Sequence, residues 1–130
     1  MTDLDSLGAM TPILHIAFVD QWNAAREAGS YRVSTRGRSL DDGATFIHAS
    51  RPEQVSLVAN FAYADVTEPL CLLVIDTDRL VSAICDEDLD GSGQTFPHIY
   101  GPLNLDAVID VRAYQRTADG RWPDVSAASL

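Results

Sequence analysis

The chain contains no lysine. All nine of its basic residues are arginine, against 19 acidic residues, which gives a formal charge of −10 over 130 residues. A protein this negative repels phosphate backbones and anionic lipid, so unspecific nucleic-acid and membrane-surface binding are not expected. A local arginine cluster can still override the global field for a small phosphate-bearing ligand. Arg32, Arg36 and Arg38 lie close enough to form one, or to be ordinary solvated loop charges. Cysteine is scarce as well. Cys71 and Cys85 sit inside apolar runs, and two buried free thiols are expected rather than a disulfide framework. The first residues are acidic and carry no apolar leader core, and no apolar run reaches the length of a bilayer span. A cytoplasmic protein is the expectation. Also missing are a glycine-rich phosphate loop, a G-x-S-x-G elbow and a paired-cysteine cluster, which removes the chemistries those motifs serve.

What is present suits one domain over 1–130, with a core over about 12–114, a lead-in over 1–11 and a fraying tail over 115–130. Hydrophobic residues make up 46% of the chain, enough for a core without staples. Apolar runs predict strands over Ile13–Val19, Leu70–Ile75 and Val81–Cys85, and alternation predicts strands over Tyr31–Thr35 and Ala107–Tyr114. Thr45–Ser50 and Phe96–Gly101 read as two more, with Pro97 marking an edge or a strand start. Asp20 and Gly29 bracket a helix over Gln21–Ala28. Ser50, Pro52 and Glu53 suggest a capping box that opens a helix over Arg51–Ala64, with Val55, Val58, Ala59 and Ala62 as its apolar face. Asp42-Gly43 marks a turn. Two early helices and many later strands predict an α+β fold.

His15, His48 and His98 are the chain's three histidines, and each falls in a predicted strand with apolar neighbours. A buried imidazole must find a partner for each ring nitrogen, so the three are either satisfied core residues or the lining of one cleft. Their separations, 48 − 15 = 33 and 98 − 48 = 50, contain no local metal-ligand motif, and no metal is expected. His98 and Tyr100 stand two apart and share a strand face, where they can meet a planar ligand or pack at a sheet edge. Glu87, at a strand end in the stretch Asp86-Glu87-Asp88, is either a ligand-orienting carboxylate or a solvated loop acid. Ser50 follows His48 by two residues, but nothing completes a triad, so a serine hydrolase with His48 as general base has no nucleophile.

Several segments together resemble a known family. Ile-Leu-His-Ile-Ala at 13–17, Phe-Ile-His-Ala-Ser at 46–50, Leu-Leu-Val-Ile-Asp at 72–76 and Phe-Pro-His-Ile-Tyr-Gly-Pro-Leu-Asn-Leu at 96–105 are similar to the bacterial domain of unknown function 952. Trp22, Gly29, Tyr31 and Gln54 with Val58-Ala59-Asn60 fit as well, and the likeness covers about 12–114. The resemblance implies an ADP-ribosyltransferase-like fold, in which two small, mostly antiparallel sheets clamp NAD in a cleft. It places His15 where those enzymes hold the adenosine ribose and Glu87 at the acidic position of their His-Tyr-Glu signature. The two His-bearing strands are also similar to those of RNA 2′-phosphotransferases, with Arg32 and Arg51 as phosphate candidates. His15 is followed by Ile16-Ala17 where the signature continues Gly-Thr.

On this reading His15, His48, Glu87 and His98 are the candidate catalytic residues. Tyr31, Arg32, Ser34, Ser50, Arg51 and Tyr100 are the candidate ligand-binding residues. The expected function is binding of NAD or a nucleotide-like ligand with ADP-ribosyl-type transfer, or a non-catalytic ligand- or partner-binding module on the same fold. The expected partner is a small molecule, and the expected state a monomer or small homo-oligomer.

Overall fold

β4 (Leu70–Ile75) is the central strand of the computed structural model, which describes residues 11–130. The expected lead-in over 1–11, except its last residue, and the expected absence of a leader lie outside the described residues. β4 pairs antiparallel with β1 (Ile13–Phe18) on one side and β8 (Val108–Tyr114) on the other. A strand flanked at both edges and covered on both faces has no wet side, so all six of its residues are apolar and buried. Cys71, Leu73 and Ile75 face a core shared with Trp22, Tyr31, Ile47 and Ile99. Leu70, Leu72 and Val74 face a second core shared with Val55, Ala59, Tyr63 and Trp122. Each such aliphatic side chain contributes about 1.5–3 kcal/mol of burial free energy.

α1 (Val19–Ala28) leaves β1 without a break and packs Trp22 and Ala25 on the first core. The expected Asp20 cap is not formed. Phe18 takes the cap position, and Asp20 lies in the first turn, where its charge meets the positive end of the helix. Gly29 stops the helix as expected: at φ 96° it suits only a residue without a Cβ, and its N–H returns to the Ala25 carbonyl.

β2 (Ser30–Tyr31) pairs with β7 (Leu103–Asn104) and is shorter than the expected 31–35. The chain turns back on itself there. Ser34 N–H reaches the Arg38 carbonyl at 2.7 Å and Leu40 N–H the Arg32 carbonyl at 2.8 Å, so a local loop satisfies the backbone that a ladder would have used.

A second three-stranded antiparallel sheet has the order β3 (Ile47–His48), β6 (Phe96–Tyr100), β5 (Ala83–Glu87). β5 runs two residues later than the expected Val81–Cys85. Asn104 Oδ1 takes the Val81 N–H and Ser82 Oγ donates to the Pro102 carbonyl, whereas Asp86 and Glu87 pair with Pro97 and Phe96. The partner strand overrides the poor strand preference of the acids. Cys71 is buried as expected, but Cys85 is exposed, because β5 is the edge of its sheet.

α2 (Val55–Ala62) follows a 3₁₀ turn over Pro52–Gln54 and ends before the expected Ala64. Ser50 does not cap it. Both backbone groups of Ser50 bond to Leu14 at 2.8 Å, and the Arg51 N–H is taken by Gln54 Oε1 at 3.0 Å. Glu53 pairs with Arg51 instead.

The segment after β8 docks rather than frays. Trp122 stacks on Tyr114 at 5.3 Å between centroids, donates its indole N–H to the Tyr63 carbonyl, and exchanges backbone hydrogen bonds with the Asn60 side chain. Arg116 lies over the same indole and donates to the Tyr63, Ala64 and Val66 carbonyls, which takes up backbone acceptors just past α2. Trp122→Ala is expected to cost about 3–5 kcal/mol, read as a fall in denaturation midpoint. A change below about 1 kcal/mol would show that the tail adds no stability.

Small antiparallel sheets with two main helices in the N-terminal half give the expected α+β class. No helix among the described residues is long and apolar enough to cross a membrane.

Candidate functional site

The register of the second sheet decides which side chains meet. His48 stands opposite His98 across β3 and β6, and Cys85 stands opposite His98 across β6 and β5. Residues two apart share a face, so Phe96 and Tyr100 join them. Four rings form a continuous floor: Phe46 stacks on His98 at 3.9 Å, His98 lies 5.3 Å from His48, and His48 lies 5.0 Å from Phe96. Facing the floor, α2 presents Leu57, Val58, Phe61 and Ala62. The loop after β5 closes one end with Leu89, Asp90, Ser92 and Gln94. The open cleft measures about 480 Å³, within the range of small-molecule sites. Phe61 is 88% exposed at its mouth, with Leu57 and Leu89 also exposed, an apolar rim that a solvated surface has no reason to keep.

Glu87 is the polar centre. Its Oε1 accepts from His98 Nδ1–H at 2.9 Å and from the Tyr100 hydroxyl at 2.5 Å. These two bonds, Tyr100 first, hold the carboxyl below the usual glutamate range, while the carboxylate pushes the Tyr100 phenol up to about 12. The Cys85 thiol, a weak donor, also reaches the carboxyl. An ionised carboxylate only accepts, so His98 carries a proton on Nδ1. Both strong bonds fall on Oε1. Oε2 accepts from no N–H or O–H group among the described residues.

His48 is held differently. Burial, then the neighbouring His98 and His15, lower its pKa to about 4, so the ring is neutral at pH 7. Its Nε2 is buried without a hydrogen-bond partner among the described residues, a state native cores rarely tolerate without a reason. The His48 N–H donates to Ser34 Oγ at 3.1 Å, which fixes the strand carrying the ring.

His15 sits behind His48 rather than in the cleft lining. Its Nδ1–H donates to the His48 carbonyl at 2.7 Å, and its Nε2 accepts from the Tyr31 hydroxyl at 2.9 Å. The backbone carbonyl can only accept, which fixes the tautomer. Both nitrogens are occupied, the residue is 2% exposed, and burial lowers its pKa to about 4. Tyr31 is fully enclosed, and burial raises its phenol. The structure thus brings His48, His98, Glu87 and Tyr100 together on one sheet face, with His15, Tyr31, Ser34 and Ser50 in the layer that supports it.

The arginines are committed elsewhere. Arg32 pairs with Asp41 at 3.1 Å, Arg36 with Asp65 at 2.8 Å, and Arg38 donates to the Gly43 carbonyl. Arg51 bonds the Thr95 carbonyl at 3.0 Å and meets Glu53 and Asp86. Gln54 also bonds Thr95, so these two residues tie α2 to the loop at the end of the cleft. Among the described residues, no arginine lines the cleft. Among the described residues, no group of three His, Cys, Asp or Glu is placed to hold a metal ion.

Sequence reasoning missed the apolar walls. The signal was there: Leu57 and Phe61, four apart, give α2 a second apolar stripe beside Val55, Ala59 and Ala62. A helix apolar on two sides packs on two things.

Comparisons with known proteins agree with this architecture. The crystal structure of protein CC0527 from Caulobacter crescentus matches with a TM-score of 0.72 and 29% identity, over 87% of this chain and 94% of that one. The solution structure of the same protein matches with a TM-score of 0.69 and 30% identity, over 86% and 91%. A crystal structure of a double mutant of CC0527 gives 0.72 and 28%, over 87% and 94%. No curated protein matches the sequence. The model of one family, described as a protein of unknown function, matches residues 16–111, and the chain belongs to that family, DUF952.

Proposed function

We propose that this chain is a small-molecule-binding domain whose cleft seats a ring-bearing ligand on the aromatic floor and anchors it through Glu87 and His98. The observation that carries the reading is the half-engaged carboxylate. Glu87 Oε1 is clamped by His98 and Tyr100, which fixes the group in place, while Oε2 has no N–H or O–H donor among the described residues and lies beside an apolar cleft of about 480 Å³. A positioned, ionised carboxylate in an apolar site is the kind of group that binding and acid–base chemistry use. The neutral His48 ring, with its Nε2 unpartnered among the described residues, lies beside them.

NAD with ADP-ribosyl transfer is the second reading, and one feature favours it. A nicotinamide ring is planar and positively charged, and it fits a floor of four rings beside Glu87. In that reading Glu87 Oε2 faces the oxocarbenium-like centre that forms as the ring departs. The pyrophosphate would then have to draw Arg51 from Asp86 and Glu53, or Arg32 from Asp41. The enclosed His15 would support the site through His48 rather than grip the ribose. A non-catalytic binding module uses the same cleft without turnover.

A ¹H–¹⁵N NMR titration with NAD, on the native chain and on Glu87→Gln, tests the second reading. Saturable shifts at His48, Phe96 and His98 that weaken in the variant support it. Absence of shifts at millimolar NAD overturns it and leaves the ligand site open to other ring-bearing molecules.

A further inference from the structure

We infer that the cleft selects a cation: an ammonium or positively charged aromatic group carried on an apolar body, bound without help from phosphate. This rests on the reading of the cleft as a small-molecule site and adds the charge of its ligand. Among the described residues the lining supplies two carboxylates, Glu87 and Asp90, and no lysine or arginine. Asp90 stays ionised, held low chiefly by hydrogen bonds from Ser92. Three phenylalanines, Phe46, Phe61 and Phe96, line the same space, and the negative faces of such rings attract cations. No lysine or arginine among the described lining residues meets an incoming anion, so a phosphate or carboxylate would lie beside the like charges of Glu87 and Asp90.

The geometry near Glu87 narrows the ligand further. With Oε1 saturated by two donors, Oε2 is the position for one charge-assisted hydrogen bond from an ammonium N–H. The neighbouring Phe46–His98 stack leaves an aromatic face beside that oxygen for the apolar part of the ligand. The net charge of −10 acts in the same direction by enriching cations around the molecule. Leu57 and Phe61 on α2 and Leu89 opposite them give the apolar body its walls.

Three probes of one size and differing charge decide the matter: phenethylammonium, 2-phenylethanol and phenylacetate, each titrated into the ¹⁵N-labelled full chain at low salt. The expected result is saturable shifts at His48, Phe96 and His98, with the ammonium bound about tenfold or more tighter than the alcohol and the acid weakest. In Glu87→Gln, which keeps the side chain's shape, the preference of ammonium over alcohol should shrink towards parity. Equal binding of alcohol and ammonium to the native cleft, or tighter binding of the acid, overturns the inference and leaves the small-molecule site standing. No cleft shifts with any probe, at millimolar concentration, overturns the site and the inference together. Unchanged ammonium preference in Glu87→Gln removes Glu87 from the recognition and overturns the assignment of Oε2 as the ammonium acceptor.

Discussion

Between pH 6.5 and pH 4 the protein is expected to lose about 3 kcal/mol of stability through His15 alone, the worth of lowering its folded-state pKa to about 4. In the unfolded chain His15 protonates near its ordinary value of 6.5, while in the folded chain it stays neutral until about 4. Across that window the unfolded state binds more protons, so stability falls as pH falls. Above it the contribution is complete, and below it no further loss comes from this residue. His48, also lowered to about 4, adds a loss of the same sign in the same window. Against a typical total of about 5–15 kcal/mol this is large. Urea denaturation at several pH values measures it. His15→Asn can still offer an amide N–H to the His48 carbonyl but does not titrate, so it should be less stable at pH 7 and show a flatter pH profile. A variant with the native slope would mean that His15 titrates in the fold much as it does in the unfolded chain. Tyr31→Phe removes the donor to Nε2 and leaves a buried acceptor unpaired, at an expected cost of about 1–3 kcal/mol.

Glu87→Gln is expected to uncouple the polar centre while sparing the fold. The Tyr100 phenol, pushed up to about 12 first by its hydrogen bond to Glu87, should return towards the usual tyrosine value near 10. Ultraviolet titration of native and variant proteins reads that change without any ligand. Tyr31, Tyr63 and Tyr114 are raised by burial and provide the unchanged background. Binding of a cationic probe should weaken roughly ten- to a hundredfold, the usual worth of a charge-assisted hydrogen bond. A phenol that still titrates near 12 in the variant would assign its shift to something other than Glu87.

The strands that carry histidine were legible because each sits in an apolar run, and His98 with Tyr100 on one face followed from strand period alone. β4 was legible to the residue, since a doubly covered strand needs nothing but apolar side chains. The bounds of β5 were not, because Asp86 and Glu87 are strand only by virtue of pairing with Pro97 and Phe96, a non-local fact. The tail misled for a similar reason. Its small residues suggest fraying, but Trp122 and Arg116 find distant partners in Tyr63, Ala64 and Val66. Arg32 to Arg38 read equally well as a phosphate cluster or as loop charges, and the structure turns each to a partner of its own. The half-engaged state of Glu87 could not be read at all. It depends on which oxygen two side chains from a neighbouring strand happen to reach.

The most direct measurement is a ¹⁵N-detected NMR screen of small ring-bearing fragments, mapped residue by residue on the native chain. Binding at the cleft should concentrate shifts on Phe46, His48, Phe61, Glu87, Phe96 and His98 and fade in Glu87→Gln. A second groove of about 400 Å³, between α1 and β8 and lined by Trp22, Arg26, Val111 and Ala113, is the natural competitor. Fragments that gather there, with the cleft silent, would contradict the assignment of the site.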